Sequence, residues 1–142
     1  RAVNHTVARA NMAAEKPYDD IPGTWVFDAQ RARSGYHLNQ FLYTLMKDSN
    51  RKAFLADERA YLAGFKLTDA QRQAVLERSW NRLLELGGVV YALAKLAFTD
   101  GKSYQYMAAQ MTGMTEQEYV EMMQKGGRSP DGWRSRSERE RR

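Results

Sequence analysis

The sequence predicts an all-α protein, a single compact orthogonal bundle of about six helices with polar termini. Three observations carry that expectation. Leu38, Phe41, Leu42, Leu45 and Met46 recur at the spacing that lines one face of a helix. Thr68 to Gln71 and Thr115 to Glu118 read as capping boxes, in which a hydroxyl and a side chain three residues on satisfy the first free amides of a helix. No segment shows the period of two that a half-buried strand requires. The 142 residues suffice for one domain with a core but not for two.

Taken in order, residues 1–11 open on Arg1 and read as a leader or remnant that is expected to be disordered. The helical domain is expected over 12–130. Pro22-Gly23 is a turn signal, because proline presets one φ and glycine accepts the positive φ that follows. Asp28 offers an N-cap to the helix that carries the Leu38–Met46 stripe. Gly35 weakens the middle of that helix or lets another backbone approach closely. Asn50 is the expected cap of a second helix, with Phe54, Leu55, Tyr61, Leu62 and Phe65 inward. Thr68 opens a third, with Val75, Leu76, Trp80, Leu83 and Leu84 inward and Gly87-Gly88 as its stop.

Val89 to Phe98 is apolar on every side except Lys95 and is expected to be a buried central helix. Residues 99–103 form a turn before a short helix to Met111. Thr112-Gly113-Met114 breaks it, and the helix from Thr115 ends near Lys125 at Gly126-Gly127. Residues 131–142 are polar and arginine-rich, a basic tail expected to be disordered.

Composition narrows the function classes. The net charge is +5, but residues 12–127 hold 14 bases and 14 acids, so the excess lies entirely at the two ends. The helix after Thr115 would present Glu116, Glu118 and Glu121 to a phosphate backbone, with only Lys125 to attract it, so no nucleic-acid partner is expected. The longest apolar run, Val89 to Ala94, is too short to span a bilayer, and no membrane association is expected. The absence of cysteine removes thiolate metal sites and Cys nucleophiles, and fits a cytoplasmic location. With only His5 and His37, the chain is a poor candidate for holding a metal or for a catalytic triad, so no catalytic or metal-binding residue is assigned to it.

Gly101-Lys102-Ser103 imitates the end of a phosphate-binding loop, but Leu96 stands where that loop needs glycine. A short Asp-Gly turn before a helix still exposes backbone N–H groups that favour an anion such as a carboxylate, and its plainer reading is a well-capped turn. Tyr104 and Tyr106 cannot both point inward on one short helix, so one is expected to face a partner or ligand. Met107, Met111, Met114, Met122 and Met123 serve equally well as core filler or as an adaptable interface.

Several strings in register then carry a resemblance. They are Asp20 to Thr24, Gln30-Arg31, Gly35-Tyr36, Leu38 to Phe41, Leu45 to Lys47, Asn50-Arg51, Asp57-Glu58, Gly87-Gly88, Tyr91, Asp100 to Ser103, Met111 to Thr115 and Gly126 to Pro130. Over about Asp19 to Pro130 the chain resembles the small (alpha) subunit of protocatechuate 4,5-dioxygenase, a class III extradiol ring-cleavage enzyme. The resemblance implies a helical subunit that binds no cofactor itself and covers the cleft of a larger catalytic subunit, where Fe(II) is held. It implies a catechol-type aromatic substrate at the interface. Asp100, Gly101, Lys102, Ser103, Tyr104 and Gln105 are the residues that would form the lid over the substrate pocket, with Lys102 and Ser103 as partners for a substrate carboxylate. The family often has phenylalanine where this chain has Tyr104, and the added hydroxyl leaves protocatechuate, gallate and other catechols as candidate substrates. The rival expectation is a stand-alone helical binding or interaction protein, such as a homodimer, that shares the fold without ring cleavage.

Overall fold

The computed structural model describes residues 16–129 and 134–141. Among these residues every regular element is a helix: α1 Ala29–Ser34, α2 Tyr36–Thr44, α3 Asp48–Ala56, α4 Glu58–Ala63, α5 Asp69–Leu76, α6 Trp80–Glu85, α7 Val90–Thr99, α8 Tyr104–Thr112, α9 Glu116–Gln124 and α10 Arg136–Glu140. The all-helical expectation holds. The described helices number ten rather than six because three of the expected helices are each broken once and α10 lies in the basic tail.

The first break is at Gly35, which lies between α1 and α2 with ψ at 0°. The second is at Asp57, whose backbone is extended (φ −155°, ψ 92°) and whose carboxylate accepts from the Ala60 amide at 2.9 Å, capping α4. The third is at Arg78, a non-glycine residue in the left-handed region at φ 53°, which separates α5 from α6.

Most expected caps form. Asp28 accepts from the Arg31 amide at 2.9 Å. Both capping boxes close, at Thr68 with Gln71 and at Thr115 with Glu118. Gly23 takes φ 66° in the Pro22-Gly23 turn, and the Thr24 amide closes it onto Ile21 O at 3.3 Å. Asn50 is a correction. Helix α3 already starts at Asp48, and Asn50 Nδ2 donates to Thr44 O at 2.8 Å, tying the end of α2 to α3.

The core is built from Leu38, Phe41, Leu42, Leu45, Phe54, Leu62, Val75, Leu83, Leu93, Leu96 and Met107, all fully buried. Helix α7 packs on α2, α6 and α8. Phe41, Phe54, Tyr61 and Phe65 form an aromatic cluster with ring centroids 5.4 to 6.1 Å apart, a separation at which tilted and edge-on pairs attract.

Three inward assignments are corrected. Met46 is 62% exposed because α2 ends at Thr44, and the helical period no longer directs its side chain. Leu55 is exposed as well, being one residue from the buried Phe54 and so turned about 100° away from it. Helix α7 is not buried all round, for Tyr91 and Phe98 stand on an exposed face.

Two buried polar side chains join distant segments. Asn39 donates from Nδ2 to Gly87 O at 2.8 Å and accepts from the Val89 amide at 2.9 Å. Gln71 donates from Nε2 to Ser34 O at 2.9 Å and to Leu86 O at 3.2 Å. Together they bind the α1–α2 junction to the segment between α6 and α7.

Residues 134–141 of the basic tail include α10. Ser135 caps α10, the Ser137 amide donates to Asp20 Oδ2 at 2.9 Å, and the Arg136 amide donates to Asp20 O at 3.4 Å. The bonds from Ser137 hold the Asp20 carboxyl below the usual carboxylate range. The leader 1–11 lies outside the described residues.

Candidate functional site

The turn between α7 and α8 is shaped by its own backbone. Asp100 ends α7, and Gly101 follows in the left-handed region at φ 70°. The Lys102 amide reaches back to Ala97 O at 2.9 Å and the Gly101 amide to Phe98 O at 3.0 Å. This is a Schellman stop, and glycine suits it because the conformation costs an L side chain free energy. Ser103 then caps α8, its Oγ accepting from the Tyr106 amide at 2.9 Å. The same hydroxyl donates to the Glu116 carboxylate at the start of α9.

The six expected lid residues divide into two groups. Gly101, Lys102, Tyr104 and Gln105 are exposed on the turn and the first turn of α8. Asp100 and Ser103 are committed to internal partners. Ser103 therefore spends its hydroxyl on a cap and on Glu116, whose carboxylate sits at the start of α8 where a substrate carboxylate was expected. Lys102 stays exposed, with its Nζ 5.0 Å from the Tyr106 ring centroid.

Of the two tyrosines, Tyr104 faces outward at 40% exposure, and Tyr106 is half-buried beneath Lys102. Tyr104 and Gln105 line a groove of about 390 Å³ together with Tyr119, Val120, Met123 and Gln124 of α9. The methionines separate in the same way. Met107 is core, Met111, Met114 and Met122 are half-buried, and Met123 is exposed beside Tyr104.

Asp100 instead faces Arg78, a residue the sequence reading passed over. The guanidinium makes two forks. One goes to Asp100, with Nε to Oδ2 at 2.7 Å and Nη2 to Oδ1 at 3.0 Å. The other goes to Glu58, with Nη1 to Oε2 at 2.9 Å and Nη2 to Oε1 at 2.6 Å. Nη1 also donates to Val75 O at 2.7 Å, and the group lies 5.5 Å from the Phe54 ring centroid. Burial works against the charge, but the bonds to Asp100 and Glu58 outweigh it and hold Arg78 above the ordinary guanidinium range. An Arg inside the stretch read as one helix from Thr68 to Gly87 carries no sequence signal that it is the hub of such a network.

A second apolar surface was also missed. Phe27, Tyr36, Tyr43 and Met46 border a groove of about 1020 Å³ along α2, with Phe65 and Val89 at its floor. Met46 continues it to Phe98 of α7. Tyr91, also on α7, is 72% exposed.

Among the described residues no three His, Cys, Asp or Glu side chains come together as a metal-ligand set. His37 lies on α2 with Nδ1 3.1 Å from Gln40 Oε1. Among the described residues His37 is the one imidazole, whereas a mononuclear iron takes two with a carboxylate. Among the same residues no helix is long and apolar enough to cross a membrane.

Fold and site together define a small all-helical domain that displays a capped turn beside an aromatic groove. The chain belongs to the LigA-subunit family of the LigAB aromatic-ring-opening dioxygenases, whose family model matches residues 38–124, from α2 through α9. It is also similar to gallate dioxygenase of Pseudomonas putida, at 26% identity over 102 residues. That match covers 72% of this chain and 30% of the relative, so the chain spans under a third of the curated protein it matches.

Proposed function

We propose that this chain is the small, non-iron-binding subunit of an extradiol aromatic ring-opening dioxygenase. It covers the Fe(II) site of a larger catalytic subunit and shapes specificity for a catechol such as protocatechuate or gallate. The observation that carries this reading is that the displayed Asp100–Gln105 turn lies inside the stretch matched by the family model. The gallate dioxygenase match supports it, because most of that relative lies outside the matched region and is free to supply the catalytic part.

In this reading Fe(II) in the larger subunit supplies the ring-opening chemistry. The small subunit excludes water and limits which ring substituents fit beneath the turn. Tyr104 offers a hydroxyl to a polar substituent, and Lys102 offers a positive charge to an anionic one. The apolar surfaces along α2 and α7 are suited to bury against the larger subunit.

Tyr104→Ala in the assembled complex is expected to change the ratio of kcat/KM between two differently substituted catechols by about tenfold, the worth of one hydrogen bond of about 1.4 kcal/mol. Iron content should stay as in the wild type. Steady-state kinetics on a catechol panel checks this, and an unchanged profile would remove Tyr104 from the pocket. Metal analysis of the chain purified alone should find no stoichiometric iron. The exposed aromatic surface also fits the rival homodimer, which a stable dimer indifferent to any large subunit would favour.

A further inference from the structure

We infer that Arg78 is a positioning residue for specificity: its two forks fix the Asp100–Ser103 turn, and with it Tyr104, relative to the body of the domain. This rests on the preceding reading that the turn faces the substrate.

The argument starts from what else holds the turn. Its hydrogen bonds to α7 are backbone stop bonds within five residues, and they set its shape rather than its placement. Around Gly101 a Cβ would meet nothing within 4 Å. A loop so bare needs long-range ties, and Arg78 provides one from 22 residues away. It grips Asp100, the residue at which the chain leaves α7, by two of its nitrogens. It grips Glu58 at the first position of α4 by two more bonds, so the turn is referenced to a second helix as well as to its own. Ser103 with Glu116 ties the far end of the turn to α9.

The backbone of Arg78 shows the same constraint. It takes φ 53° without being glycine. Such conformations persist where surrounding contacts over-determine them, and they gather at sites that must be held in one geometry. Here the guanidinium has two carboxylates, a carbonyl and an aromatic ring as neighbours. A planar fork satisfies carboxylates two bonds at a time, and a lysine ammonium cannot. All three charged residues lie inside the family-matched stretch.

The test uses the complex with the larger subunit, comparing wild type, Arg78→Lys, Glu58→Gln and Tyr104→Ala. kcat and KM are measured separately on two catechols of different ring substituents, with iron content, complex mass and amide hydrogen exchange of residues 101–105. Arg78→Lys is expected to assemble with normal iron, lower the selectivity ratio about tenfold and speed exchange across 101–105, because a displacement near 1 Å at a reacting site costs rate steeply. Glu58→Gln should move the same quantities in the same direction by less. Where Arg78→Lys does not assemble, Glu58→Gln decides by the same measurements. Wild-type selectivity and exchange in these variants, with selectivity still altered in Tyr104→Ala, would overturn the role of Arg78 and leave the proposed function standing. No change in Tyr104→Ala either would overturn both.

Discussion

Gly35→Ala is expected to lower the stability of the domain by about 3 kcal/mol, at the upper end of what overpacking costs. For a chain of this size that is a fall in Tm of about 10 °C, read by thermal unfolding followed by circular dichroism. A Cβ at Gly35 would lie 2.0 Å from Gly87 O and 2.5 Å from Gly87 C. Both are backbone atoms, so no side-chain rotation relieves the overlap. Gly87 is the left-handed glycine that stops α6, at φ 98°, and a Cβ there would sit 2.6 Å from Gly35 N and Cα. The α1–α2 junction and the α6 stop can therefore approach only if both residues are glycine. A Gly35→Ala protein as stable as wild type would mean that the two segments do not touch.

Asn39→Leu is expected to cost a similar amount, about 3 kcal/mol, although it replaces one buried side chain by another of like size. Asn39 is 9% exposed, and its amide serves Gly87 O and the Val89 amide at once. Val89 precedes α7 with an extended backbone and no side-chain cap of its own. Leucine would leave the buried Gly87 carbonyl and the partly buried Val89 amide without this partner, at about 1–3 kcal/mol for a buried group. Chemical denaturation should show a lower midpoint with an unchanged slope, since the surface exposed on unfolding stays the same. Combined with Gly35→Ala the losses should not add, because both changes act on the same contact at Gly87.

Part of that locus was legible in the sequence. Gly35 reads as a weak point or a close approach and Gly87-Gly88 as a helix stop, and the structure has both. That the two glycines meet each other was not legible, since they are 52 positions apart and neither carries a sign of its partner. Asn39 sits one residue from the Leu38 of the apolar stripe and gave no hint of being buried. The candidate site divides in the same manner. Its turn, its stop at Gly101 and its cap at Ser103 follow from neighbouring residues. The inward pull on Asp100 depends on Arg78 and Glu58, which reach it from elsewhere in the chain.

The exposed apolar surface shows the same division from the other side. Periodicity assigns Met46 and Phe98 to a buried face, because it counts apolar side chains and does not know which of them another helix will cover. Helix type, the cap at Asp28 and the two capping boxes were settled by residue order alone, since those interactions act within four positions of one another. The break at Arg78, the Gly35–Gly87 contact and the face left open along α2 and α7 were settled only when the helices packed. Their energies come from groups brought together across 20 residues or more, and no local pattern of residues records such a meeting.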